Sequence, residues 1–315
     1  MSSSSSTAAG SPSGAGLQPV SLKGRSRPGE ATIKAGLFVA AMISVVTTVG
    51  IIITLLRPSL EFFAQVDLVG FLTGTEWSPS SGEFGVLPLV KATFLITLIA
   101  LVVAVPLGLG AAMYLSEYAS KRVRKFFKPV LELLAGVPSV VYGFFALAFV
   151  TPTLLQGFLQ LDVNFTNALA AGLVLGVMII PTVASLAEDA MSSVPLALRQ
   201  GSLAMGANRM QTTLRVVFPA ALSGIAAAVV LGLSRAVGET MIVALAAGAL
   251  TNMSFNPKDG MQAMTGYMAQ TAGGENPVGS LEYDTLFAVG LTLFVITLVI
   301  NMISIRLVRR FRQEY

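Results

Sequence analysis

The chain contains no cysteine, no histidine and a single tryptophan, and only 11% of its 315 residues are charged. Each absence closes a class of chemistry. Without cysteine there is no disulfide and no thiolate nucleophile. Without cysteine or histidine there is no Cys/His zinc site. Without histidine there is no Ser-His-Asp triad and no histidine proton relay. Soluble domains carry roughly 25% charged residues. A chain with less than half of that, and with 54% hydrophobic residues, cannot coat a soluble globule of this size. The expectation is an all-α integral membrane protein with no catalytic residues, no metal ligands and no cofactor of its own.

What the sequence has instead is long apolar runs. A hydrocarbon core about 30 Å thick needs about 20 apolar residues in a helix. Six runs qualify: 33–56, stopped by Arg57-Pro58; 86–115, which can bend near Pro106; 129–151, opening at Pro129; 166–187, interrupted by Pro181; 220–249, following Pro219; and 284–307. Residues 1–30 are rich in Ser, Gly, Ala and Pro and read as a disordered cytoplasmic tail, because they offer almost nothing to bury. No charged segment precedes an apolar run there, so they do not read as a signal peptide. Residues 31–315 read as one six-helix transmembrane domain.

The basic residues set an orientation. With the N-terminus in the cytoplasm, all of them except Arg57, Lys91, Arg235 and Lys258 fall in the inside segments, near 23–34, 121–128, 199–215 and 306–312. That is the positive-inside pattern, and it predicts cytoplasmic N- and C-termini. The basic runs 121–128 and 306–312 are accounted for by topology and anionic lipid, with no nucleic acid.

The inside connection 188–219 carries a pattern. Residues 196–205 and 207–217 read as short helices, with a turn at Gly206 and an end at Pro219. Gln200-Gly201-Ser202 is followed by Gly206, then nine residues on by Val216, and then by Phe218-Pro219. This spacing resembles the cytoplasmic signature of permease subunits of ATP-binding-cassette importers. In that family the first positions are Glu-Ala-Ala, so Gln200 departs from the pattern by lacking the charge. The chain has no phosphate-cradling G-x-x-x-x-G-K-[ST]. The resemblance implies type I importer-permease architecture. It also implies that ATP and Mg are bound by a partner ATPase, which acts on residues 196–218 through Gln200, Gly201, Ser202, Gly206, Val216 and Pro219.

Ionisable groups inside spans are costly, about 2.5–3.5 kcal/mol at the bilayer centre. Lys91 falls near the outer end of span two, where it can snorkel. Glu132 falls near the inner end of span three. Arg235 and Glu239 lie within span five at a spacing of i, i+4, which puts both on one helical face, able to pair. The pair reads either as a buried lock between two helices or as a charged wall on an anion path. An arginine fork donates two parallel hydrogen bonds to an oxyanion, and Ser234 and Thr240 add hydroxyls. Gly136 and Pro138 loosen the backbone beside Ser139. That run reads either as close helix packing or as a break near a binding site, which makes Ser139 a further candidate.

The stretch Arg235-Ala236-Val237-Gly238-Glu239-Thr240 strongly resembles the fifth-span region of phosphate importer permeases, and the following Met241-Ile242-Val243 resembles the PstC type. Residues 74–79, 84–88 and 135–143 extend the resemblance, and Lys91 departs from it, standing where a small residue is expected. What the resemblance implies is a bacterial cytoplasmic-membrane permease. Its expected partners are a PstA-type subunit, a PstB-type ATPase dimer and an extracytoplasmic phosphate-binding protein that docks on the outer loops 57–85 and 250–283. Two other readings remain at this point: a permease for sulfate or molybdate, which would share the loop signature, and an ATP-independent channel or secondary transporter, which would leave that signature unexplained.

Overall fold

The computed structural model describes residues 28–274 and 276–310. By its internal contacts the chain divides into residues 1–51 and 52–315. In the first unit, helix α1 starts at Pro28 rather than Ile33; it continues in the second unit to Phe63, with Pro58 inside it. The part of the expected tail before Pro28 lies outside the described residues, as do Lys23, Arg25, Arg27, Glu275 and Arg312.

The second unit continues with α2 (Leu68–Thr73), a two-stranded antiparallel hairpin of β1 (Trp77–Ser78) and β2 (Glu83–Phe84), and α3 (Leu87–Met113, prolonged by a wider turn over Tyr114–Tyr118). Next come α4 (Lys121–Ala135), α5 (Ser139–Phe145, prolonged over Ala146–Phe158) and α6 (Ala168–Ser192). Then follow α7 (Leu196–Ala204), α8 (Arg209–Thr212, prolonged to Ala220) and α9 (Leu222–Val237). Last are α10 (residues 241–247), α11 (Met264–Ala272) and α12 (Leu281–Arg310). Among the described residues five helices are long and apolar enough to cross a membrane, and six if the pair 209–220 and 222–237 counts as one span.

The core is built on α3 against α6. Gly172 and Gly176 form a G-x-x-x-G step that lets the two backbones meet. A Cβ on Gly172 would sit 2.7 Å from Ile99, and one on Gly176 would sit 2.8 Å from the Ala100 carbonyl oxygen. Small residues at such crossings are the usual means of close packing where lipid removes the hydrophobic drive. The N-terminus of α6 is fixed by Asn167, whose side chain accepts from the Ala170 N–H at 2.7 Å and donates to the Asn164 carbonyl at 2.9 Å.

Two expected spans are divided. The third does not open at Pro129. That proline lies inside α4, a separate amphipathic helix capped by Ser120, and the chain breaks at Gly136 before the span proper begins at Ser139. The fifth is broken twice. The helix does not end at Pro219, which starts a final turn over Phe218–Ala220; the chain then bends by 72° into α9. It breaks again over residues 238–240. α4 ends at Gly136 and α9 at Gly238, while the bend in the fifth span falls at Ala221.

The expected outer loops are structured. Phe62, Phe71, Trp77, Val86, Leu89, Met264 and Tyr267 form a buried cluster, with Trp77 edge-on to Tyr267 at 5.0 Å. Thr251 donates to the Trp77 carbonyl at 3.0 Å, which ties the second outer loop to the hairpin of the first.

Candidate functional site

Arg235 sits in the last turn of α9 and Glu239 lies within the break that follows. The expected i, i+4 ion pair is therefore not formed: among the described residues no salt bridge joins them. The physical reason is Gly238, which ends α9 before Glu239 can come round onto Arg235's face. Glu239 instead caps the next half-helix. Its Oε1 accepts from the backbone N–H groups of Met241 at 3.1 Å and Ile242 at 3.3 Å. Its backbone carbonyl accepts from the Thr265 hydroxyl at 2.6 Å, which pins the break to α11. Each charge thus complements a helix dipole, the cation at a C-terminal end and the carboxylate at an N-terminal end.

Arg235 is exposed in this chain although it lies on a span. Its guanidinium donates to Thr182 Oγ1 on α6 at 3.4 Å, and it lies within electrostatic reach of Tyr142 on α5. An exposed guanidinium at this depth cannot face acyl chains at tolerable cost, so it faces water or another protein chain. Thr182 accepts from Arg235, and among the described residues no acceptor takes its own O–H, so a guanidinium and a hydroxyl from two helices lie side by side as available donors. Ser234 is less available: its hydroxyl donates to Asn301 on α12 at 2.7 Å. The Thr240 hydroxyl turns back to the Gly238 carbonyl at 3.3 Å. Ser139 is the first residue of α5, half-buried, and is not brought to Arg235 by any hydrogen bond among the described residues. The same helix approaches through Gly143, where a Cβ would sit 2.8 Å from Leu245 and 3.2 Å from the Met241 carbonyl. Thr182, Tyr142 and Asn301 are the site residues that sequence reasoning missed. Thr182 had a visible signal, being a hydroxyl directly after Pro181.

The loop 188–219 folds as a helical corner. Gly206 has φ of 84°, the left-handed region that disfavours a side chain. Asn208 caps α8 in a reciprocal box with Gln211. The Ser202 and Thr212 hydroxyls meet at 2.9 Å, holding α7 to α8. Gln200, Gly201 and Pro219 are exposed, and Val216 is half-buried. Leu203, Met205 and Met210 present apolar side chains to solvent around this corner.

Ion pairs join the basic connections at the same end. Glu188, 1% exposed, receives Arg124 and Lys128, and Lys128 also reaches Asp189 at 2.7 Å. The hydrogen bond to Asp189 raises the Lys128 pKa above its ordinary value, against a lowering by burial. Arg199 on α7 pairs with Glu117 at 3.1 Å and donates to the Met191 carbonyl at 2.6 Å. Glu132 is exposed. At the other end Lys91 is half-buried against the loop after α10. Its ammonium donates to the carbonyls of Asn252 and Ser254 and lies 5.2 Å from the centre of the Phe255 ring, so it clamps the second outer loop.

The family described as "Binding-protein-dependent transport system inner membrane component" matches residues 104–314. A probable ABC transporter permease protein, YqgH, of Bacillus subtilis is 37% identical over 82% of this chain and 84% of its own length. The phosphate transport system permease protein PstC 1 of Mycobacterium tuberculosis is 35% identical over 80% and 85%. PstC of Haemophilus influenzae is 32% identical over 77% and 82%. Among solved structures, a chain of a bacterial ABC transporter involved in alginate import aligns at TM-score 0.61 and 18% identity, over 90% of this chain and 99% of that one. A chain of the MetNI methionine ABC transporter aligns at 0.54 and 21%, over 72% and 94%. The last two show the fold, and it is the importer-permease architecture expected from the loop spacing. The broken fifth span, the helical corner at Gly206 and these matches together place the chain in the family of binding-protein-dependent transport-system inner-membrane components, as a multi-pass membrane protein.

Proposed function

We propose that the chain is the PstC-type permease subunit of an ATP-driven inorganic phosphate importer. The carrying observation is Arg235: an exposed guanidinium at a helix break, beside a free Thr182 O–H, in a chain 30–35% identical to proteins named phosphate transport permeases. A guanidinium beside a hydroxyl suits a tetrahedral oxyanion, and a discontinuous span is where transporters place such groups. Glu239 acts through the backbone it caps; it is a positioning residue.

In this reading both termini are cytoplasmic. The exposed side of Arg235 faces a PstA-type subunit across the pathway. A PstB-type ATPase dimer, carrying ATP and Mg, receives the corner of α7 and α8 in a groove. A phosphate-binding protein docks on the outer platform around Trp77 and Tyr267. ATP-driven closure pushes the corner, and the 72° bend hands the displacement to α9 and Arg235. The chain itself is non-catalytic.

The test is uptake of radiolabelled phosphate by proteoliposomes holding both permease subunits, the ATPase and the binding protein. Uptake is expected only with ATP on the side of residues 196–218, and excess sulfate or molybdate leaves it unchanged. Uptake that ignores ATP would return the channel reading. Uptake that follows sulfate instead would return the other-oxyanion reading.

A further inference from the structure

We infer that α4 is a membrane-surface helix that binds the phosphate groups of anionic phospholipids along its basic face. The argument starts from where α4 lies. The span after it begins at Ser139 and runs 20 residues to Phe158. Twenty residues span about 30 Å, the full hydrocarbon thickness, so α4 lies outside the hydrocarbon and at its boundary. The break at Gly136 and Pro138 separates its axis from the span. Tyr142 donates to the Leu134 carbonyl at 3.1 Å and fastens the two pieces across that break.

The residue pattern then fixes how α4 lies. At 100° per residue, Phe126, Phe127, Leu133 and Leu134 fall on one side of the helix, and all four are exposed. Lys121, Arg124, Lys125 and Lys128 fall on the other, along a shallow depression of about 410 Å³ that Glu132 closes at the far end. A helix with aromatic and leucine residues on one side and cations on the other sinks its apolar side into the headgroup boundary. The cations have two different fates. Arg124 and Lys128 are held by Glu188 and Asp189 on α6. Lys121 and Lys125 are exposed and have no ion-pair partner among the described residues. Three ion pairs therefore anchor the helix to α6, and the two remaining ammonium groups of the stripe, with the exposed Arg122 beside them, stand free at the level of the lipid phosphates. Glu132 repels anions from the hydrocarbon-proximal end of the stripe and confines binding to the Lys121 side.

The occupant we assign is an anionic phospholipid headgroup of the phosphatidylglycerol type, because a lipid satisfies the apolar side of α4 and the free cations together at the hydrocarbon boundary where the span's length places the helix. Each cation near an anionic surface contributes about 1 kcal/mol, about 5-fold in affinity, so removal of two should weaken binding about 30-fold. The measurement is native mass spectrometry of the purified transporter complex, titrated with phosphatidylglycerol, phosphatidylcholine or inorganic phosphate. Retention of phosphatidylglycerol over phosphatidylcholine is expected, and millimolar inorganic phosphate leaves it bound. K121Q/K125Q should lower phosphatidylglycerol affinity about 30-fold, whereas K258Q, which removes a cation from the loop beside the N-terminus of α6, at the opposite end of that helix from Glu188, should stay within 2-fold. Equal retention of both lipids overturns the inference, as does displacement by inorganic phosphate or an equal loss in K258Q. If K121Q/K125Q sheds the ATPase and keeps its lipid, the stripe is a protein contact and the inference fails.

Discussion

The chain breaks a helix before α5 and again after α9, and the two breaks are made differently. At 136–138 a glycine stops α4, a proline starts the next helix, and a tyrosine hydroxyl from α5 covers one freed carbonyl. At 238–240 there is no proline. A glycine stops α9, and a carboxylate satisfies the freed N–H groups of α10. The first break is rigid by covalent geometry, since proline fixes its own φ. The second is held by hydrogen bonds alone, from the Met241 and Ile242 N–H groups to the Glu239 carboxylate and from the Thr265 hydroxyl to the Glu239 carbonyl, and no proline ring fixes it. Structural separation needs the first kind of break; a moving binding site can use the second.

That contrast can be broken in order of expected effect. Arg235→Gln should abolish phosphate uptake while the complex still assembles on size-exclusion chromatography; undiminished uptake would reduce Arg235 to a structural role. Glu239→Ala should remove the cap, costing about 0.5–2 kcal/mol of stability and most of the uptake, whereas Glu239→Gln, which keeps an acceptor, should retain a substantial part. Equal loss in both would mean that the charge itself, and not the cap, is what transport needs. Gly206→Ala meets no neighbour but forces a side chain into φ of 84°, costing about 1–2 kcal/mol. It should loosen the ATPase and raise the ATP spent per phosphate carried, read as ATPase rate against uptake. Lys91→Met should have the smallest effect. Thermal unfolding of the assembled transporter should fall by a few degrees, with the second outer loop becoming the first site of proteolysis.

Much of this was legible in the residues. Apolar runs of about 20 give spans, and they gave them here because lipid forces backbone hydrogen bonds to close within each helix. The corner at Gly206 was legible because a glycine between two amphipathic runs has few other uses. The division of spans three and five was not, because hydropathy averages across a break. Gly136 and Gly238 look like packing glycines until the geometry shows which way the chain turns. The Arg235–Glu239 spacing misled for the same reason: i, i+4 implies a shared face only if the helix is continuous. Lys91 was read from depth alone, yet its partners are carbonyls of a loop more than 160 positions away in the sequence. Glu188 was equally out of view, since nothing local says that a carboxylate at the end of α6 will collect two cations from α4.

The bend at Ala221 makes α9 a lever. From Leu222 to Arg235 is about 20 Å of helix, so a tilt of about 5° at the bend moves the guanidinium by about 2 Å. The hydrogen bond from Arg235 to Thr182 is already 3.4 Å long, near the outer limit for such a contact. A displacement of that size separates the two donors altogether. A motor pushing the corner by the width of one atom would therefore take a two-point grip on an oxyanion and leave a single point of attachment. In the proposed mechanism the length of α9 beyond the bend sets how far Arg235 moves for each degree of tilt.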